Sequence, residues 1–189
     1  MADLTMRIIQ DLIAVSLIME PDAQLKAFCG DYYSPYYNFF DIAGKYLKGE
    51  GVFVELGSET GRGLFGLALS GNEVVGIDTV KRERINAVQN EFPNVIFLNQ
   101  ASLPVPEWFD NNKAKIVLLH IDTEHSYAMA KAEFEEYQPY LIDNALVIFD
   151  DLHAMDDDVL KYFQSLPYEK IIDDRLHPTC GWGCLIYKK

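Results

Sequence analysis

Val52-Phe53-Val54-Glu55-Leu56-Gly57-Ser58-Glu59-Thr60-Gly61-Arg62-Gly63 is the stretch whose reading decides the fold. A short apolar run from Val52 to Leu56 stops at Gly57, the pattern of a buried strand. A helix is expected from about Arg62 to Leu69, closed by Ser70-Gly71. Gly57 and Gly61 bracket the turn between them, where backbone can approach a ligand closely and N–H groups can point at it. Asp78, 21 residues after Gly57, ends the next expected strand, where a carboxylate can accept hydrogen bonds from ribose hydroxyls. The glycines run G-x-x-x-G-x-G rather than G-x-G-x-x-G, which argues against a pyrophosphate ligand. A tight turn with no ligand is the plainer alternative.

Outward from this loop, strands alternate with helices. Val74–Asp78, Val95–Leu98, Lys115–Ile121 and Ala145–Phe149 read as strands. Lys81–Phe92 reads as a helix halted by Pro93, Pro106–Asn111 as a short one, and Asp156–Ser165 as another. A long helix after Asp122 is expected to turn Tyr127, Ala130, Phe134, Tyr137 and Leu141 inward, at spacings of three and four. Glu169–Ile172 and Trp182–Tyr187 read as a closing strand pair. Before the loop, residues 1–50 read as a helical cap segment, with Leu12, Ile13, Leu17 and Ile18 on one face. A second run opened by Ser34-Pro35 carries Tyr36, Tyr37, Phe39, Phe40 and Tyr46. Residues 51–189 form the α/β body of what is expected to be one globular unit: a mostly parallel sheet with helices on both faces. Ligands of such sheets lie outside the carboxyl ends of the strands. There the sequence sets Glu55 to Gly61, Asp78, Ser102, Asp122 to His125, and Asp150-Asp151.

Composition narrows the partners. Net charge is −13, and the only basic cluster is Lys81, Arg82 and Arg84, too little to track a phosphate backbone. No nucleic acid is expected; a small neutral or cationic substrate fits better. The apolar run from Ile8 to Met19 is too short and too interrupted to span a bilayer. Asp3 and Arg7 cancel and no small-residue cleavage site follows, so no leader peptide is expected and the chain reads as cytoplasmic. Cys29, Cys180 and Cys184 cannot form a paired framework, and a thiol pair packed in the last strand is the simplest reading of Cys180 and Cys184. The Trp182 strand and the apolar N-terminal helix are candidate homodimer surfaces.

Three motifs in register over roughly Gly51 to His153 resemble class I S-adenosylmethionine-dependent methyltransferases. Val54 to Gly63 resembles motif I of a subgroup with E-[IL]-G-S-x-x-G-x-S, here with Gly63 in place of the usual serine. His120-Ile121-Asp122-Thr123-Glu124-His125-Ser126-Tyr127 resembles its hIDgdHsYe signature, and Phe149-Asp150-Asp151 its vFDD end of strand five. This is the methyltransferase domain 24-like subgroup, related to metal-dependent O-methyltransferases. The resemblance implies a Rossmann-like fold with a seven-stranded sheet and an antiparallel closing pair. It implies that Glu55 approaches the methionine amino group and that Gly57, Ser58 and Gly61 cradle the methionine end. Asp78 would hold the ribose, Ser102 and Ala101 would flank the adenine, and Asp122 would close the cofactor site. Gln100-Ala101 stands where an acidic residue often precedes that serine, and Thr123 replaces a glycine.

Asp122, Asp150 and Asp151 fall at the ends of neighbouring strands. Three carboxylates this close repel unless neutralised, which a hard divalent cation such as Mg²⁺ would do. The plainer reading has Asp122 capping the following helix and Asp150-Asp151 solvated. His125, three residues after Asp122, is the candidate general base by analogy with metal-dependent relatives; His153 is its competitor, and His120 and His177 read as structural. Together these imply metal-assisted O-methylation of a small hydroxylated substrate (a sugar, phenol or natural product). A Mg²⁺-dependent hydrolase or nucleotide-handling enzyme, and a cofactor-binding protein without catalysis, are the alternatives.

Overall fold

In the computed structural model, the strand read from the opening stretch is β1 (Val52–Leu56), hydrogen-bonded in parallel to β2 (Val74–Asp78) and to β4 (Ile116–Ile121). Residues 4–49 and 51–189 are described; Asp3, used in the leader-peptide argument, and Glu50, at the segment boundary, lie outside them. β2 continues to β3 (Val95–Asn99) and β4 to β5 (Leu141–Asp150), both in parallel. β7 (Trp182–Ile186) then runs antiparallel between β5 and β6 (Lys170–Ile172), completing the order β3-β2-β1-β4-β5-β7-β6. The chain leaves β1 in one direction and returns on its other side at β4, so the topological switch lies between these two strands.

Burial on both faces explains the near-continuous apolar strands: every residue of β4 is buried. One face is covered by α1 (Met6–Ile18), α2 (Ala23–Cys29), α3 (Tyr36–Tyr46), α4 (Arg62–Ala68) and α5 (Glu83–Glu91). The other is covered by α6 (Trp108–Asn112), α7 (Tyr127–Tyr137) and α8 (Asp158–Ser165). The first three helices share a core with the sheet: Phe39 of α3 meets Trp182 edge-on at 4.9 Å between ring centroids. Ser34 ties the same segment to the closing loop by donating its hydroxyl to the Leu176 carbonyl (2.7 Å).

Five details differ from the sequence expectation. α1 buries Ile9, Ile13 and Ser16, whereas Ile18 is 84% exposed. That helix is apolar nearly all round, and the Asn38 amide fixes its end by donating to the carbonyls of Ser16 and Met19. Leu141 belongs to β5 rather than to α7, because a 3₁₀ turn carrying Pro139 (Gln138–Tyr140) ends the helix first. Tyr127, at the start of α7, is 40% exposed rather than turned inward. The helix expected from Asp156 begins at Asp158, after three successive left-handed residues, Met155, Asp156 and Asp157. β7 is flanked on both sides and Trp182 is fully buried, so the Trp182 strand offers no docking surface. Among the described residues no helix is long and apolar enough to cross a membrane.

Candidate active site

Two cavities share the carboxyl edge of the sheet. The first, about 300 Å³, lies against the ends of β1, β2 and β3 and is lined by Asp78, Ala101, Ser102 and Met129 among others. The second, about 370 Å³, lies toward β4, β5 and the N-terminal helices, and Tyr36, Arg62, His125, Asp151 and His177 are in its wall. Gly57, Glu59, Asp122 and Thr123 line both, so the cavities meet at the switch point between β1 and β4.

The glycine loop is shaped by what a side chain would strike. Gly57 has φ of +85°, and a Cβ there would lie 1.8 Å from the Asp122 carbonyl oxygen. Only glycine permits that approach. Asp78 braces the loop from the next strand: its Oδ2 accepts from the Glu59 N–H (2.8 Å) and its Oδ1 from the Val80 N–H (2.9 Å). Ser58 is buried, and a Cβ on Gly61 would meet Ile85, so these two support the turn from behind rather than line a cavity. Glu55 is also buried under the loop, where its Oε1 accepts from His120 Nδ1 (3.1 Å). A Cβ at Gly63 would lie 1.7 Å from that Oε1, which explains glycine at this position.

Geometry and sequence now point the same way. A family model described as a methyltransferase domain matches residues 54–152, from within β1 to just past β5. The chain belongs to that methyltransferase-domain family. No curated protein matches it. Among solved structures, an O-methyltransferase from Bacillus cereus in complex with S-adenosylhomocysteine is 13% identical, with 96% of this chain and 97% of that one covered and a TM-score of 0.68. CalS11, a TDP-rhamnose 3′-O-methyltransferase of calicheamicin biosynthesis, is 17% identical over 97% and 94% of the two chains (TM-score 0.66). TomG of Streptomyces achromogenes, an O-methyltransferase of tomaymycin synthesis in complex with S-adenosylmethionine, is 13% identical over 95% and 96% (TM-score 0.66). At these identities the likeness establishes a shared Rossmann-like fold.

In the second cavity of this methyltransferase domain, histidines are interleaved with the expected carboxylates. His125 has φ of +61° and bridges two of them, with Nε2 3.2 Å from Asp122 Oδ1 and Nδ1 3.2 Å from Asp151 Oδ2. Its hydrogen bond to Asp122 outweighs partial burial and holds its pKa above the ordinary imidazole value. Asp122 is not the cap of α7; Ser126 is, accepting from the Met129 N–H. Asp150 is buried and turned toward His177, whose Nδ1 lies 2.8 Å from Asp150 Oδ1. Burial opposes its charge, yet the hydrogen bond from His177 and the nearby His120 hold it below the usual carboxylate value. Burial alone would lower His120, but the hydrogen bond to Glu55 and the surrounding acids raise it to about 8.

Among the described residues, metal-capable atoms cluster in three overlapping sets, each within 4.8 Å: Asp122, His125 and Asp151; Asp151, His177 and Cys180; and His120, Asp122 and Asp150. No set among the described residues joins the three expected carboxylates Asp122, Asp150 and Asp151: each set holds at most two of them, beside a histidine or cysteine. His153 stands apart, paired with Asp157 (3.0 Å) and Asp174 (3.4 Å), and lines neither cavity.

The sequence reading missed three contributors. His177 and Cys180 reach the site because β7 folds back on β5, pairing Trp182 with Asp150. Cys180 lies in the turn before β7, not in the strand, and burial raises its thiol pKa to about 11. Glu133 of α7 is fully buried and clamps two cavity loops, accepting from the Ser102 hydroxyl (2.5 Å) and the Thr123 hydroxyl (2.7 Å). A buried acid at i+3 from Ala130 on an otherwise apolar helix face was the available signal.

Proposed function

We propose that this protein transfers a methyl group from S-adenosylmethionine to a hydroxyl oxygen of a small acceptor. The cofactor occupies the first cavity and the acceptor the second. The observation that carries this reading is the junction of the two cavities at Gly57 and Asp122, which lets two ligands meet at one point. The O-methyltransferases of like fold, two of them in complex with S-adenosylmethionine or S-adenosylhomocysteine, support it. In this reading Gly57 admits the methionine end, Asp78 holds the ribose, and Ser102 and its turn flank the adenine. Ser58, Gly61 and Glu55 keep the loop in shape.

Bound S-adenosylmethionine supplies an electrophilic methyl group on a sulfonium and leaves as a neutral thioether. The chain's part is to hold the acceptor oxygen in line with that methyl and to take its proton. Tyr36 and Tyr37 form the acceptor wall, with the exposed Tyr32 at its rim. His125 takes the proton at Nε2 once the acceptor hydroxyl displaces the Asp122 contact, and Asp151 at Nδ1 stabilises the imidazolium. Asp150 and His177 hold the far wall by their mutual hydrogen bond.

A divalent cation fits the chemistry of this donor set. Asp122 and Asp151 would hold it, leaving His125 beside them to take the proton, and it would lower the pKa of the acceptor hydroxyl. Carboxylate oxygen donors suit Mg²⁺ or Mn²⁺. Three free thiols suit a reducing, cytoplasmic setting.

The test is label transfer from methyl-labelled S-adenosylmethionine to a panel of sugars and phenols, with and without EDTA. Transfer to at least one acceptor is expected, reduced about 10²-fold or more in His125→Ala. Full activity of Asp122→Ala/Asp151→Ala in EDTA would remove the metal from the account, and unchanged activity of His125→Ala would remove the base.

A further inference from the structure

Arg62 lines the second cavity and not the first, and among the described residues it is the one Lys or Arg in that wall. Its guanidinium packs 4.5 Å from the Tyr32 ring centroid, and its side chain is only 17% exposed. Nε is buried and has no hydrogen-bond partner among the described residues. The neighbouring carboxylate of Glu59 is 3.8 Å away, 61% exposed and shared with Arg82 (3.9 Å), too long and too wet to satisfy the fork. The acids at the ends of β4 and β5, by contrast, each have a histidine partner: His125 bridges Asp122 and Asp151, and His177 pairs with Asp150. One cavity thus holds a proton-handling end and, elsewhere in its wall, a guanidinium with an unused donor. Backed by an aromatic ring, that group is prepared for a carboxylate or phosphate.

We infer that Arg62 selects the acceptor: the small molecule whose hydroxyl meets His125 also carries a carboxylate or phosphate, which the guanidinium binds. The inference rests on the methyltransferase reading and names its substrate class, a hydroxylated organic acid or phosphate ester. The net charge of −13 points to a neutral or cationic substrate. Net charge sets the distant field, however, and a contact is decided by the groups within reach. The cavity is about 370 Å³, a size that holds one small ligand, so the hydroxyl at His125 and the anion at Arg62 belong to one molecule. Tyr32, Tyr36 and Tyr37 line the same cavity and give a ring carrying both groups a surface to lie against.

Methyl transfer to paired acceptors tests this: protocatechuate against catechol, and glucose 6-phosphate against glucose, each anion beside its uncharged counterpart. Wild-type protein is expected to prefer the anion of one pair by about tenfold or more in kcat/KM, and the pair that responds tells carboxylate from phosphate. In Arg62→Met that preference should fall about tenfold or more, through KM rather than kcat, and Arg62→Lys should recover part of it. Calorimetric titration of the same variants with S-adenosylhomocysteine should show a Kd within about twofold of wild type. Equal use of charged and uncharged acceptors, or a preference that survives Arg62→Met, overturns the inference. So does transfer to neither anion by a protein that binds S-adenosylhomocysteine. Parallel loss of S-adenosylhomocysteine affinity in Arg62→Met also overturns it, since the guanidinium would then serve the cofactor or the loop. All of these leave the methyltransferase reading standing. A wild-type protein that binds no S-adenosylhomocysteine overturns the reading itself.

Discussion

The two cavities at the sheet edge are built in different ways. The wall nearest β1, β2 and β3 comes largely from residues just past the strands that carry them: Gly57 after β1, Asp78 closing β2, Ala101 and Ser102 after β3. The wall nearest β4 and β5 is assembled from distant parts of the chain: Tyr32 and Tyr36 from the N-terminal segment, and His177 and Cys180 from the return to β7. A site made of strand ends can be read along the sequence, because strand periodicity and a stopping glycine locate each residue. A site made by long-range return cannot, because nothing near Asp150 in sequence announces His177, 27 positions away.

The sharpest way to break this comparison is at the junction. Gly57→Ala puts a Cβ into the Asp122 carbonyl at a left-handed φ, and is expected to destabilise the fold by about 3–5 kcal/mol. Thermal unfolding and S-adenosylhomocysteine titration should both report it, with binding lost. A stable Gly57→Ala protein that still binds would mean that the loop sits farther from β4. Next in size, Asp151→Asn touches the second cavity alone. Methyl transfer should drop about 10²-fold while the Kd for S-adenosylhomocysteine stays within about twofold. Parallel loss of both would mean that the cavities are not separable.

Glu133 sharpens the comparison from the other side, since it holds the loops after β3 and β4 together. Glu133→Ala leaves the Ser102 and Thr123 hydroxyls without their partner and should cost about 1–3 kcal/mol in chemical denaturation. Burial raises the Glu133 pKa against the opposing pull of those hydroxyls. Its contribution is therefore complete below its unfolded pKa and is lost as pH rises through the raised folded value. Glu133→Gln should flatten that decline; an unaltered pH profile would contradict the assignment. The smallest effect belongs to His153, whose exposed ion pairs lie outside both cavities: His153→Ala should shift stability by less than about 0.5 kcal/mol and leave transfer unchanged.

Most of the fold was legible for physical reasons that also mark its limits. Strands β1 to β4 are short apolar runs, three of them closed by glycine or acid at Gly57, Asp78 and Asp122, and their expected ends lie within a residue of the observed ones. β5 was read only from Ala145, because Leu141 continues the three-and-four spacing of α7 and masks the turn at Pro139. In α1, apolar residues on several faces left the buried side undetermined until Asn38 fixed its position. Asp78, Asp122, His125 and Asp151, which line the cavities, were legible as candidates from strand ends and the family resemblance. The tasks of Ser58, Gly61 and Glu55 behind the loop, and of His120 beneath it, depend on packing that no local pattern records.

The central claim is that the cavity beside Gly57 receives S-adenosylmethionine. Calorimetric titration of the intact protein with S-adenosylmethionine tests it most directly, with Asp78→Ala as the paired measurement. The account predicts saturable one-to-one binding, weakened at least about tenfold when the Asp78 carboxylate is removed. Absence of binding at millimolar cofactor, or binding indifferent to Asp78, would contradict it.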